Sequence, residues 1–394
     1  MAKRFVYADN AGTTAVSKTA VDAMLPYFTE HFGNPSGIYS VGRTAKKAME
    51  EARKTIAECL GAKPEEIFFT GGGSEEYTMA LKGIADIKSK KGKHIITSAI
   101  EHHAISHTCD FLAKHGCEIT YLPVDAYGMV SPEDVERAIR EDTILISIMT
   151  ANNEIGTIEP IREIGEIAKK HGVIFHTDAV QAAGHIPLDV NELNVDMMSI
   201  AAHKFRGPKG IGALYIRKGI GVTPVIHGGG QERNRRSGTE NVAEIVGMAA
   251  ALEEATRDMN ENIAKISAMR DRLITELLKI PYSRLTGHPE KRLPGTASFT
   301  FECIEGEAMV LALDMEGICA SSGSACSSGS LDPSHVLMAI GLPHEIAHGS
   351  LRLTINECTT DEDIDYIIEK VPAVVERFRS MSPMWEDKLK EMGN

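Results

Sequence analysis

The sequence predicts an α/β fold: a large, doubly wound, mainly parallel sheet domain followed by a smaller α+β domain. Three observations carry this. Between residues 66 and 217, short apolar runs alternate with helix-like stretches, the order that builds crossover units and a parallel sheet. Ile144-Leu145-Ile146-Ser147-Ile148-Met149 is nearly continuous in apolar residues, as expected of a strand buried on both faces. Beyond Pro294 the order changes to strand 296–302, helix 306–316, helix 333–340 and strand 350–354. A long proline-free helical stretch, 242–278, is expected to link the two parts.

In chain order, Phe5-Val6-Tyr7-Ala8 is a short extended segment, and Asp9-Asn10-Ala11-Gly12-Thr13-Thr14 is a polar turn. Helices are expected over 16–31 and 42–60, separated by the breakers Gly33-Asn34-Pro35-Ser36-Gly37. Strand 66–70 runs into Gly71-Gly72-Gly73-Ser74. A glycine-rich turn opening a helix offers free backbone N–H groups and the positive end of the helix dipole, so it is a candidate anion site or a plain strand–helix turn. No Gly-Lys-Ser/Thr follows, so it is not a P-loop. Strand 94–98 leads to Glu101-His102-His103, where an imidazole either stacks on a flat ligand and shuttles protons or simply opens a helix. Strand 118–124, helix 132–140 and strand 144–149 follow, and Asn152-Asn153-Glu154 brings amides to the same sheet edge. Helix 161–171 precedes strand 173–177.

Two strand ends hold the chemistry. The apolar run Met197–Ala202 ends on His203-Lys204 and breaks at Gly207-Pro208, placing Lys204 at a sheet edge. A lysine beside an apolar strand end loses hydration, which favours the neutral, nucleophilic amine. Strand 173–177 ends on Asp178. Ligands of open parallel sheets bind at the carboxyl ends of strands. An imine-forming lysine with a carboxylate that keeps a pyridine nitrogen protonated is what pyridoxal 5'-phosphate (PLP) requires. A surface lysine and a helix N-cap aspartate are the bland alternatives. Further on, the Ser/Gly-rich loop 321–330 contains Cys326, either an incidental thiol or a mobile nucleophile. In strand 350–354, Arg352 shares a face with Ser350 and Thr354, as a surface ion-pair partner or a carboxylate clamp.

Composition narrows the class. The chain has 394 residues and a net charge of −13, which argues against nucleic acid or an anionic membrane as main partner. No signal peptide or bilayer-spanning run is expected. The seven scattered cysteines suggest a reducing compartment, and none are spaced C-x-x-C, so an all-protein zinc site is not expected.

Taken together, Asp9-Asn10 with Thr13-Thr14, Phe32-Gly33-Asn34-Pro35-Ser36, Glu101-His102, Asn152-Asn153-Glu154, His176-Thr177-Asp178-Ala179-Val180-Gln181, His203-Lys204 with Gly207-Pro208-Lys209-Gly210, Arg236-Ser237-Gly238-Thr239 and Ser321–Cys326 resemble the NifS/IscS-type cysteine desulfurases, which are class V, fold-type I (aspartate aminotransferase-like) PLP enzymes. The resemblance covers nearly the whole chain. It implies a large PLP-binding domain at 15–260 and a small domain formed by 1–14 and 261–394, which carries the Cys326 loop and Arg352. It implies that Lys204 forms the PLP imine, Asp178 pairs with the pyridine nitrogen, Gln181 bonds the phenolate oxygen and His102 stacks on the ring. Asn153 lies near the phenolate oxygen and the substrate. Gly73, Ser74 and His203 hold the phosphate, and Thr239 reaches the phosphate of the partner subunit in a homodimer. Arg352 binds the carboxylate of L-cysteine. Cys326 takes the sulfur as a persulfide, alanine leaves, and the sulfur passes to an iron–sulfur scaffold or another acceptor, with Cys326 as a transient cluster ligand shared with that scaffold. The implied localisation is cytoplasmic.

The chain departs from the family pattern at some points. Gly71 to Thr78 differs from Ser-Gly-Ala/Gly-Thr-Glu-x-Asp-Asn, Ala201 replaces a phosphate-binding serine, Tyr39 replaces a common histidine, and Asn356-Glu357 replaces Gly-Arg. The rival readings are a selenocysteine lyase, another class V PLP enzyme such as an aminotransferase, and a non-catalytic sulfur-trafficking paralogue.

Overall fold

The computed structural model describes residues 4–323 and 333–392. Its centre is a seven-stranded sheet built from β2 (Ile67–Thr70), β3 (His94–Ser98), β4 (Glu118–Leu122), β5 (Thr143–Ser147), β6 (Ile174–Asp178), β7 (Met197–Ala201) and β8 (Gly212–Ile216), after a two-residue β1 (Val6–Tyr7). The order across the sheet is β2-β8-β7-β6-β5-β3-β4. β8 pairs antiparallel with β2 and β7, and every other pair is parallel. β8 is therefore the one reversed strand, and the carboxyl ends of β2, β3, β5, β6 and β7 share one edge.

Side-chain alternation gives the sheet two buried faces. Phe69, Ile96, Ile146, Phe175 and Met198 enter the core on one side. Phe68, Ile95, Leu145, Ile174 and Met197 enter the core on the other. Helices Ser40–Cys59, Ile161–His171 and Val242–Arg257 cover the first face, and Gly73–Ile87 with His103–Lys114 covers the second. This is the expected doubly wound arrangement.

A second core lies against β9 (Ser283–Leu285), β10 (Thr296–Phe301), β11 (Ile318–Cys319) and β12 (Ser350–Thr354). β10 pairs antiparallel with β12 and β9, and β1 pairs parallel with β11. Leu351 and Leu353 of β12 pack on Leu273 and Ile367 from helices Met259–Leu277 and Asp361–Arg379. Arg352 consequently points to the opposite face of β12. Asp9 bridges to Thr354, and Ser321 to Arg352, so the N-terminal segment and the start of the Cys326 loop flank this strand.

Two expected helices are broken. The stretch 16–31 forms Lys18–Met24 and Pro26–Thr29, because Pro26 has no N–H to continue the ladder. The stretch 242–278 divides at Asp258, whose backbone (φ −95°, ψ 6°) leaves the helical region. No helix among the described residues is long and apolar enough to cross a membrane.

Candidate active site

The common carboxyl edge of the strands opens onto a cavity of about 400 Å³, lined by Gly73, Ser74, His102, Asn153, Asp178, Gln181, His203, Lys204 and Arg352. Every one of these was expected from the sequence, and the sheet order explains their meeting. Asp178 is the last residue of β6, Lys204 ends a 3-10 turn directly after β7, and Gly73 follows β2. His102 follows β3, and Asn153 follows β5.

Asp178 is buried, and its Oδ1 accepts the N–H of Val180 at 2.9 Å. Burial raises its carboxyl to about 6; the Val180 N–H, a side-chain hydrogen bond from Tyr77 and the charge of Lys204 oppose that rise. A hydrogen-bonded turn follows Asp178 where the bland reading had a helix to cap, and the side chain closes that turn through the Val180 N–H. Lys204 Nζ donates to the carbonyls of Ala11 at 2.5 Å and Gly12 at 2.8 Å. Those carbonyls belong to the polar turn that follows β1. Gln181 Nε2 donates to the same Ala11 carbonyl at 3.0 Å.

His102 caps the helix His103–Lys114 through Nδ1, which accepts Ala104 N–H at 3.1 Å. That bond fixes the tautomer, with the proton on Nε2. Burial, with the nearby Lys204 charge, lowers this imidazole to about 4, so it is neutral at neutral pH. His203 is lowered to about 4 for the same reasons, burial first, and its Nδ1 lies 3.1 Å from Thr13 Oγ1. The helix Gly73–Ile87 begins after Gly72, which has φ 124° and gives no side-chain cap. Its first-turn N–H groups therefore face the cavity end of the helix dipole without a side-chain acceptor.

Asn152 is structural. Its Nδ2 donates to Ile100 O at 2.9 Å, and its Oδ1 accepts from Glu154 N at 2.8 Å and Ile155 N at 3.0 Å. This rigid loop presents Asn153. Arg352 Nη1 donates to the Asn153 carbonyl at 2.9 Å and Nη2 to Asp9 Oδ1 at 2.8 Å, while the buried Nε has no partner among the described residues.

Two candidates are not brought into the cavity. Thr239 is exposed, and it is not among the lining residues of its own chain. Cys326 lies outside the described residues. Of its described flanks, Ser321 lines the cavity, and Ser334 donates to Glu154 Oε2, beside Asn153 in the chain. Asp9, Tyr77, Met149, Val180 and Ser321 also line it, without having been expected there as site residues. Tyr77 was visible only as a departure from a pattern. Asp9 was visible only as part of a motif.

Comparison with known proteins agrees with this geometry. The aminotransferase class-V family model matches residues 6–367. The chain is 59% identical to cysteine desulfurase IscS of Methanosarcina thermophila, over 96% of this chain and 94% of that protein. It is 44% identical to cysteine desulfurase NifS of Azotobacter vinelandii, over 96% of this chain and 95% of that protein. A solved NifS-like protein superposes with a TM-score of 0.90 at 39% identity, covering 95% of this chain and 100% of the other.

The cavity fits the cofactor of that family. A buried carboxylate at one strand end, a lysine at the next, a neutral imidazole and an uncapped helix N-terminus match a pyridine nitrogen, an aldehyde, a flat ring and a phosphate in turn. The chain belongs to the aminotransferase class-V family, with the fold-type I architecture, and within that family it is a PLP-dependent enzyme of the IscS/NifS cysteine desulfurase type.

Proposed function

We propose that this enzyme converts L-cysteine to L-alanine and passes the sulfur, as a persulfide on Cys326, to an acceptor such as an iron–sulfur scaffold protein. The observation that carries the reading is the meeting of Lys204, Asp178 and Arg352 at one cavity. Bound PLP supplies an electron sink beside the amino group of an amino acid. The protein supplies the rest. Lys204 holds the aldehyde, Asp178 the pyridine nitrogen and Gln181 the phenolate oxygen. Gly73, Ser74 and His203 receive the phosphate, with Thr239 of a second subunit completing it in a homodimer.

Arg352 and Asn153 orient the substrate carboxylate. His102, neutral with its proton on Nε2, stacks on the ring and moves a proton at that atom. The Cys326 thiolate attacks the substrate sulfur. A sulfur–sulfur bond forms as the carbon–sulfur bond breaks, the released electron pair stays with carbon, and a proton completes alanine. The persulfide then leaves with the loop for the acceptor, where Cys326 also serves as a transient ligand of the growing cluster. In this reading 15–260 is the large domain that holds Lys204, and 1–14 with 261–394 is the small domain that carries the Cys326 loop and Arg352. The scattered cysteines favour a reducing location, the cytoplasm.

Cys326→Ser tests the reading. A serine hydroxyl is almost wholly protonated near neutral pH and is a poor nucleophile toward sulfur. The variant should keep its cofactor absorbance and its spectral response to cysteine, yet yield little alanine and no protein-bound persulfide. Alanine and sulfide at the parent rate would refute Cys326 as carrier and favour a lyase. No spectral response in the parent would favour a non-catalytic paralogue.

A further inference from the structure

Arg352 does not wait for a substrate with all its donors free. Nη2 is paired with Asp9 Oδ1 at 2.8 Å and Nη1 with the Asn153 carbonyl at 2.9 Å. Its side chain is 5% exposed and that of Asp9 27%, so the pair sits at the cavity wall with little solvent around the guanidinium. Nε is buried out of reach of a ligand and has no partner among the described residues. The donors left to a ligand are thus the second hydrogens of Nη1 and Nη2, enough for one carboxylate.

Charge around the cavity is closely balanced. Among the described residues that line it, the only lysine and arginine are Lys204 and Arg352, and the only carboxylates are Asp9 and Asp178. The lining imidazoles, His102 and His203, are both lowered to about 4 and carry no charge at neutral pH. One carboxylate of an amino acid can share Arg352. A second anionic group finds no further cation and meets Asp9 beside the first. Like charges brought together in a poorly solvated site are strongly disfavoured.

We propose that Asp9 is a specificity-determining residue: by occupying part of the Arg352 guanidinium it restricts the site to amino acids with one carboxylate and an uncharged side chain, and excludes aspartate and cysteine sulfinate. The inference rests on the reading of Arg352 as the carboxylate site. It goes beyond that reading by assigning to Asp9 a repulsive role that no arginine clamp supplies alone.

The test is an equilibrium titration of the PLP-loaded protein with L-alanine, L-aspartate and L-cysteine sulfinate, followed through the cofactor absorbance. The readout is the ratio of the dissociation constant of each dianionic ligand to that of alanine. In Asp9→Asn, which keeps a polar partner for Arg352, both ratios should fall by about tenfold or more. Asp9→Ser is measured alongside it, so that a folding defect in one variant does not decide the matter. Ratios that fall by less than roughly threefold in both variants overturn the proposal. A uniform change in all three constants, with the ratios preserved, also overturns it and leaves Asp9 as a mere support for Arg352. Arg352→Ala separates the two layers of the argument: if that variant binds alanine as tightly as the parent, the carboxylate reading of Arg352 is what has failed.

Discussion

Lys204 and Ala11, separated by most of the sheet in sequence, are joined at 2.5 Å through Nζ and the Ala11 carbonyl, with the Gly12 carbonyl at 2.8 Å completing the cradle. The cradle has no room to spare. A Cβ on Gly12 would lie 2.5 Å from Asp9 Oδ2 and 3.1 Å from its Cγ. Gly12→Ala must therefore turn the Asp9 carboxylate, which disturbs its 2.8 Å pairing with Arg352. It is expected to destabilise the cofactor-free protein by about 1 kcal/mol. A denaturant midpoint and slope identical to those of the parent would contradict this.

Asp178 sets a pH limit on cofactor loading. Burial places its carboxyl at about 6 in the cofactor-free protein, and only the ionised form holds a protonated pyridine nitrogen. PLP affinity should be flat above that value. Below it, affinity should fall by up to about tenfold per pH unit, until the lower pKa of the loaded form is reached. Dissociation constants measured for the cofactor across this range check it. Asp178→Asn should remove the pH dependence and weaken binding throughout.

Ala201 lines the cavity with Gly73, Ser74 and His203 and contributes no hydroxyl there. Ala201→Ser should tighten PLP binding, since a hydrogen bond to a charged group contributes roughly 1.5–3 kcal/mol net, less where water already bridges the gap. Equal cofactor dissociation constants for the two proteins would refute it.

Several buried acids shift the stability profile. Burial raises Glu101 and Glu159 to about 8 and Glu154 to about 7. Their contribution is full below the unfolded carboxyl pKa and is lost as pH rises through 7–8. Burial lowers His102 and His203 to about 4 and His176 to about 3. Their contribution is full above the unfolded imidazole pKa and is lost as pH falls through 3–4. Above about pH 7 the carboxyl contribution dominates the change, so the cofactor-free protein should melt at a lower temperature at about pH 8.5 than at about pH 7. Glu154→Gln should flatten that slope, and a parent melting temperature that rises over this range would contradict the argument.

The parallel sheet and its strand-end residues were legible in the sequence for a physical reason. Runs such as Ile144–Met149 are apolar because both faces are buried, and Asp178, Lys204 and Asn153 stand where such runs stop. Strand order was not legible: it depends on pairings distant in sequence, in which β8 reverses while the six other strands run the same way. Tyr77 lies inside helix Gly73–Ile87, where an aromatic residue reads as core. Its contact with Asp178 follows from the strand order and from the missing Cβ of Gly73, which would stand 2.9 Å from the Tyr77 hydroxyl. The role of Asp9 needed the pairing of the N-terminal segment with β12, a contact spanning almost the whole chain. The break at Asp258 carried no proline or glycine to announce it.

That long-range pairing orders events during synthesis. Asn10 Nδ2 donates to Thr354 O at 2.7 Å, Ala11 N donates to Thr354 Oγ1 at 2.9 Å, and the same turn cradles Lys204. The aspartate and the lysine, at positions 178 and 204, emerge from the ribosome well before the strand that fastens their cradle, Ser350–Thr354. A nascent chain arrested before residue 354 has a sheet and a lysine without the turn fixed over them, so the cofactor meets a finished pocket only after β12 has been made.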